Sequence, residues 1–523
     1  MHFSQEGYSL VSNSANTVET LEFGRKFRNV EGMGWIVTCL FIVGETAGGG
    51  LIAMPTAMLS AGLVGGVLVI LIGAIMCAFT GYQLSENWTI LQERWPEYRS
   101  HCRKPYPAMG LRAIGPRFMT LVSAVLNATM FGTAVVFLLL ASKNLENFLH
   151  AYADVHVGFC YLVLIVALFM FPFTLLKSPK DFWWAVIGAM MTTSMAVSLI
   201  IYGSILDAPV CMLEVRYLEI VPSKFFMCFG TVMFAYGGHG AFPTIQHDMK
   251  KPYQFRRSVF TAFLIIFLMY LPVSITGYLT YGDSLRDSII PSLQEFFVQQ
   301  TVNILITLHV VLALTIVFNP LNQELEELLN VPQEMGVKRV LTRGAMMIAV
   351  VFVAETVPNF GFLLDLVGGS TITLMALVFP ALFNLYLKAA RVKNNETTVA
   401  TADEQPCSIR DVIRHTSWRA LFTSGFVLAF ALIGGTAATI SAANAMFNSD
   451  FSAPCYASLF FDVPPNAEDA VVNVGNATIT NVFAEKARYN CCGVFRNVSR
   501  YGEGTEFCFD AFARSSMGGG SHG

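Results

Sequence analysis

The sequence predicts an all-α polytopic membrane protein with eleven transmembrane helices, and three observations carry that prediction. The 523 residues are 54% hydrophobic and only 13% Asp, Glu, Lys and Arg, against about 25% charged in soluble domains. The mean hydropathy is +0.55. Uncharged windows of roughly the 20 residues that one crossing needs recur along most of the chain. A formal net charge of −3 offers no basic surplus for a nucleic-acid partner, so the bilayer is the expected environment.

The first uncharged window runs from Thr46 to Ser85, too long for one crossing. Pro55 to Gly65 supplies the break, and Gly32 to Gly44 extends the first helix upstream. Six further windows follow at Phe118 to Ser142, Val155 to Leu176, Phe182 to Leu206, Phe225 to His247, Ser258 to Gly282 and Phe296 to Gln323. A shorter helix is expected at Thr342 to Val357, then Phe360 to Leu387 interrupted by Asp365, and finally Ala420 to Ser449.

Orientation follows from the distribution of basic residues, which concentrate in cytoplasmic loops. With the N-terminus inside, the inner segments hold 24 of the 33 Lys and Arg, and the short outer loops hold only Lys143, Arg216, Lys224 and Arg286. The expected organisation is a cytoplasmic segment 1–31, a ten-helix core 32–388, a cytoplasmic loop 389–419, an eleventh helix 420–447 and an outer tail 448–523. The first helix lacks an A-x-A-like cleavage site and can serve as the anchor. The acidic run Glu324, Glu326 and Glu327 reads as a solvated cytoplasmic stretch.

The tail fits an oxidising, glycosylating compartment, outside the cell or in a lumen. It carries Asn476 and Asn497 in sequons, and Cys455, Cys491, Cys492 and Cys508. Adjacent cysteines do not readily pair with each other. The expected bridges are therefore 455 to 491 with 492 to 508, or 455 to 492 with 491 to 508, and Cys211 can substitute for one cysteine. What protein, if any, meets the tail is not legible.

Hydrocarbon tolerates broken helices only where they line a buried cavity. The first helix carries Gly44-Glu-Thr-Ala-Gly-Gly-Gly50 ahead of Pro55, and the sixth carries Tyr236-Gly-Gly-His-Gly240 ahead of Pro243. Close packing by small residues would explain one such cluster. A matched pair in helices one and six of eleven points to a five-plus-five inverted repeat around a midplane site.

The motifs extend this. Gly238-His-Gly-Ala-Phe-Pro-Thr-Ile-Gln-His-Asp-Met-Lys-Lys-Pro252, then Gly277-Tyr-Leu-Thr-Tyr-Gly282, Glu45-Thr-Ala-Gly-Gly-Gly-Leu-Ile-Ala-Met-Pro55 and Val357-Pro-Asn-Phe-Gly-Phe-Leu-Leu-Asp-Leu-Val-Gly-Gly-Ser370 together resemble the amino acid/auxin permease family. The similarity is greatest to its vacuolar neutral, vesicular inhibitory and proton-coupled amino-acid transporters. It covers roughly residues 30 to 445, and the tail matches nothing recognised. The resemblance implies a LeuT-like fold of the amino acid-polyamine-organocation superfamily, plus one extra helix, and secondary amino-acid transport.

Carried onto this sequence, Gly48, Gly49 and Gly50 become the unwound segment whose amides receive a substrate carboxylate, as helix N-termini do. Gly237, Gly238 and Gly240 become the facing break, with Thr46 and Tyr236 beside the two. No Lys or Arg within a span answers the carboxylate, which favours a zwitterion. Ionisable groups inside a membrane are functional by default. Glu45, His239 and Asp365 are accordingly the candidates for proton coupling; the structural alternative is a hydrogen bond to unwound backbone for Glu45 and a packing ring for His239, and Asp365 is expected to face the bundle interior. Glu45 and Asp365 depart from the family's pattern. Sodium is the alternative ion, with Thr307, Thr315 and Asn319 of the eighth helix available, although helical hydroxyls usually bond their own i−4 carbonyls.

No P-loop, nucleophile elbow or zinc motif occurs, so no enzyme activity, metal or cofactor is expected. The expected function is a proton-coupled transporter of small neutral amino acids. A sodium-coupled or cationic amino-acid transporter, and an amino-acid-sensing receptor without flux, are the alternatives. Direction of transport and the choice between plasma membrane and lysosomal, endosomal or vesicular membrane are not readable.

Overall fold

A computed structural model describes residues 27–29, 32–100, 102–153, 157–175, 183–212, 217, 220–332, 334, 336–393, 406–448 and 455–456. Among them the regular structure is helical, apart from one isolated bridge between Met33 and Met249. Helix α1 (Trp35–Thr46) is followed by an unwound stretch, a 3-10 turn (Leu51–Ala53) and α2 (Met54–Arg94). Then come α3 (Pro105–Ala113), α4 (Pro116–Ala153), α5 (Phe159–Thr174), α6 (Trp183–Cys211), α7 (Pro222–Ala235) and α8 (Phe242–His247). The chain continues through α9 (Phe255–Tyr281), α10 (Phe296–Leu328), α11 (Val337–Thr356) and α12 (Phe360–Val367). Two π-helical turns, Gly368–Ile372 and Leu374–Val378, lead into α13 (Phe379–Lys393), and α14 (Ile409–His415) and α15 (Trp418–Asn448) close it.

Proline marks many of these starts. It sits within the first two positions of α2, α3, α7 and α8 and opens α4, where its missing N–H costs no helical bond. The break expected between Pro55 and Gly65 falls at Gly62, with φ 72° and ψ 167° inside α2, a conformation that glycine adopts without a Cβ clash. Among the described residues, seven helical stretches are long and apolar enough to cross a membrane. Helices α1 and α5 are shorter but apolar.

Helices α2, α7, α9 and α1 pack together, while α10 packs on α4 and α6. Helix α15 lies against α7 and α12. Bare backbone lets these elements close up: a Cβ on Gly230 of α7 would meet the Asp365 carbonyl of α12 at 2.5 Å, and one on Gly435 of α15 the Gly369 carbonyl of the first π-helical turn at 2.8 Å. Small residues of this kind let helices approach in lipid, where burying apolar surface supplies no drive.

Three expectations need correction. Glu326 is not solvated: α10 continues past it, and the carboxylate is buried against Arg339 (3.0 Å) and Arg343 (2.5 Å), with Arg343 also donating to the Thr174 carbonyl. Its neighbours Glu324 and Glu327 pair with Lys104 at 2.7 and 3.1 Å. The segment read as loop between the second and third spans contains buried α3, whose Tyr106 hydroxyl donates to the Met375 carbonyl at 2.5 Å. Cys455 pairs with Cys160 at the start of α5, not with a tail cysteine, because α15 delivers the chain back beside that helix end. Phe352 stacks on Tyr456 there, and Cys211 is disulfide-bonded as well. Cys491, Cys492, Cys508, Asn476 and Asn497 lie outside the described residues.

Candidate functional site

Two interrupted helices meet at the centre of the bundle. Helix α1 stops at Thr46 and regular winding resumes at Leu51, while α7 stops at Ala235 and α8 begins at Phe242. Glycine is what allows them to touch. A Cβ on Gly50 would lie 2.6 Å from Ala235 Cα, and one on Gly238 would lie 2.5 Å from Thr46 Oγ1. Among the described residues no backbone carbonyl receives the amides of Gly48, Gly49 or Gly50. Leu51 and Ala53 bond back to the Gly48 and Gly50 carbonyls, so the second half of the span begins with its own free donors.

The two ends are bridged by a residue that sequence reasoning missed. Tyr270 of α9 is fully buried, with its hydroxyl 2.8 Å from the Ala235 carbonyl and 3.2 Å from the Thr46 carbonyl. Both acceptors are last-turn carbonyls that lack intrahelical partners, and the single O–H serves either. Only its position opposite both helix ends distinguishes Tyr270 from the other aromatics of α9.

A cavity opens between the breaks, with about 850 Å³ of empty space that is partly continuous with solvent. Its walls include Glu45, Thr46, Gly48, Gly49 and Gly50 on one side and Gly237, Gly238, His239 and Gly240 on the other. Thr129, Met130 and Phe137 of α4 and Met375 also face it, and no Lys or Arg does. Concave, mostly apolar sites with a few convergent polar groups are the common form of small-ligand pockets. Thr46 Oγ1 is buried without a protein partner at the seam between the breaks.

Glu45 sits in the last turn of α1, ahead of the unwound segment, and is part-buried at the cavity wall. His239 is 1% exposed. Its Nε2 lies 3.0 Å from the Cys77 carbonyl and 3.3 Å from Thr80 Oγ1 on α2, which makes Nε2 the donor and leaves Nδ1 without a protein partner. Two predicted residues are not brought to the cavity. Tyr236 turns toward Phe263 and Tyr270 of α9, and Asp365 accepts a 2.5 Å hydrogen bond from Thr231, tying α12 to α7. Of the sodium alternatives, Thr307 and Thr315 donate to their own i−4 carbonyls at 2.7 and 3.2 Å, and Asn319 Oδ1 accepts from Gln323 at 2.8 Å.

Both ends of the breaks are held. Between α9 and α10 the chain dips onto the first break: Ile289 N–H donates to the Ile52 carbonyl at 2.9 Å and Thr56 Oγ1 to the Arg286 carbonyl at 2.5 Å. At the opposite end, the approach to α1 runs parallel to the exit from α8. Asn29 and Met33 donate to Lys250 and Asp248, each at 3.0 Å, and Lys250 returns a 2.9 Å bond to Met33.

A family model described as transmembrane amino acid transporter protein matches residues 31–409. The chain belongs to this family. It is an integral membrane protein, and its relatives are named transporters, not enzymes. Amino acid transporter AVT1B of Arabidopsis thaliana is 24% identical over 369 residues, 68% of this chain and 65% of the relative. AVT1D of the same plant is 25% identical over 358 residues, 66% and 62%. The plant's lysine histidine transporter-like 4 is 23% identical over 378 residues, 68% and 81%. The chain thus spans less than two thirds of the length of the first two. Its fold is LeuT-like. Among solved structures, that of the Eremococcus coleocola manganese transporter with an aromatic bis-isothiourea substituted compound aligns at a TM-score of 0.50 and 11% identity, over 81% of this chain and 92% of that one.

Proposed function

We propose that the chain is a secondary active transporter of small neutral amino acids, driven by protons and working by alternating access around residues 47–50 and 236–241. One observation carries this reading: two unwound helices face each other across a cavity whose wall holds the Gly49 and Gly50 amides, which no backbone carbonyl among the described residues receives, and no basic side chain. The amides of Gly48 to Gly50 meet the substrate carboxylate. The helix ends at Thr46 and Ala235, which carry the negative end of the helix dipole, meet the ammonium. A zwitterion answers both. An acidic side chain would find no counter-charge.

The wider architecture belongs to the same proposal. In this reading eleven crossings, ten of them in a five-plus-five repeat, leave the N-terminus in the cytosol and the tail outside or in a lumen, and the membrane is the plasma membrane or a lysosomal, endosomal or vesicular one. Glu45 and His239, at the cavity wall, are the proton-coupling residues of this reading. Asp365 holds α12 to α7. A second reading, a cationic substrate, is favoured by the Glu45 carboxylate facing the cavity. The tied hydroxyls of Thr307 and Thr315 weigh against sodium.

The test is uptake of radiolabelled glycine, alanine, proline, lysine and glutamate into proteoliposomes, with pH and sodium gradients imposed separately. Alanine or glycine uptake stimulated by the pH gradient alone supports the proposal. Lysine as the preferred substrate supports the second reading, and no flux of any substrate in folded protein supports a receptor.

A further inference from the structure

The α10 side chain that meets the unwound segment is neither a hydroxyl nor an amide but His309. It is 1% exposed. Its Nδ1 lies 2.9 Å from Thr193 Oγ1 and 3.1 Å from the Ala189 carbonyl, both on α6. A carbonyl can only accept, so Nδ1 carries the hydrogen and the lone pair of the neutral ring is on Nε2. That edge is turned to the break: a Cβ on Gly48 would lie 2.4 Å from Nε2. Glycine at 48 is what lets the ring reach the backbone.

We propose that His309 is a further proton-binding residue of the transport cycle, taking up a proton at Nε2 against the unwound segment while the substrate occupies the cavity on the other side of Gly48. The inference rests on the transport reading above. Gly48 and Ala189 line the cavity but His309 does not, so ring and substrate hold the same backbone without competing for space. Protonation turns Nε2 from an acceptor into a donor and places a positive charge beside the C-terminal end of α1, where the helix dipole favours a cation. The proton enters from one aqueous face and leaves to the other, with no further chemistry. A segment whose conformation is biased by both ligands couples them, each by its differential affinity for the two states.

The surroundings isolate this group. From α6 it meets Thr193 and the Ala189 carbonyl, neither of which titrates. From the break it meets Gly48, with Glu45 as the acidic group three residues earlier. Among the described residues its ring makes no ion pair. The Glu326, Arg339 and Arg343 cluster where α10 meets α11 and α5 is 17 residues further along α10, roughly 25 Å away at 1.5 Å per residue. The Lys143 and Glu146 pair of α4 belongs to the opposite end of the bundle. No permanent counter-ion among the described residues fixes the charge of the His309 ring.

The test is uptake into proteoliposomes of the full chain at external pH 5.5 and 7.5. For the wild type, uptake is expected to be at least fivefold higher at pH 5.5. His309→Gln keeps a hydrogen-bonding side chain that does not titrate, and is expected to bring that ratio below twofold. A variant ratio equal to the wild type's overturns the proposal. Should His309→Gln transport at neither pH, Thr193→Val decides: losing one Nδ1 partner is expected to shift the pH of half-maximal uptake by about half a unit to the acid side, and an unmoved midpoint overturns the proposal. Wild-type uptake that ignores pH overturns proton coupling itself, which is a different result from a variant that behaves like a pH-dependent wild type.

Discussion

At the scale of single residues, the glycines of the first break do different work, and their neighbours say which. A Cβ on Gly50 meets the backbone of Ala235, with Cα at 2.6 Å, and a rotamer change cannot relieve that contact. Gly50→Ala is expected to cost about 1–3 kcal/mol, as overpacking does, and to lower uptake at least tenfold. Gly425→Ala in α15, where a Cβ has nothing within 4 Å, is expected to be neutral in a thermal unfolding assay of the same preparation. Asp287, in the segment that dips onto the first break, is a second case. Burial raises its carboxyl above the ordinary range, against weaker lowering by Arg286, Lys143 and the Gly361 N–H. A raised carboxyl makes the ionised form costly in the folded state, so folding loses stability as pH rises from the unfolded value through the folded one. Asp287→Asn removes that cost while keeping an acceptor for Gly361. It is expected to melt above the wild type at pH 7.5, with the gap closing by pH 4. The glycine runs were legible in the sequence because several such residues in one apolar span have few other uses. Tyr270 and His309 were not, because one polar ring in a helix reads the same whether it packs or bridges. Tyr236 was misplaced for the converse reason: adjacency to Gly237 says nothing of which side of the chain a ring leaves.

At the scale of elements, the breaks were legible and their fastenings were not. Gly and Pro announce an interruption in any apolar window, and the charged segments between windows separate most of the helices. Nothing in the pattern announces that residues 29–33 lie beside 248–250, since three backbone hydrogen bonds leave no side-chain signature. One residue does bear on it. A Cβ on Gly32 would meet the Lys250 nitrogen at 2.6 Å and the Met249 carbonyl carbon at 2.7 Å, so the clasp requires glycine there. The clasp joins the start of α1 to the end of α8. Gly32→Val is expected to open it. Amide hydrogen exchange at Met33 and Lys250 should then rise at least tenfold, with the buried amides of α9 unchanged, since local opening exposes only the segment that opens. Unchanged exchange at both amides would mean that the chain accommodates the side chain within the clasp.

At the scale of the whole molecule, the bond between Cys160 and Cys455 constrains topology as well as stability. It joins residues 295 apart in sequence, at the start of α5 and just beyond α15, and the two must lie on one side of the membrane. In the eleven-span reading, the fourth to the eleventh crossings separate them, an even number, which returns the chain to the same side. In the proposed orientation, which puts the basic segments inside, that side is the exterior or lumen, where disulfides persist. The tail composition made an oxidised cysteine at 455 legible, but the partner was beyond reach, because pairing depends on which helix ends meet. Cys160→Ser and Cys455→Ser are expected to lower thermal stability equally, by about 2–4 kcal/mol, and together to cost no more than either alone, as two halves of one interaction do. Sidedness can be read from the same bond. In sealed vesicles of known orientation, a membrane-impermeant reductant is expected to reduce it from the face opposite an N-terminal tag. Reduction from the face of the tag would require an odd number of crossings between the N-terminus and α5 to become even, and the eleven-span topology would fall with it.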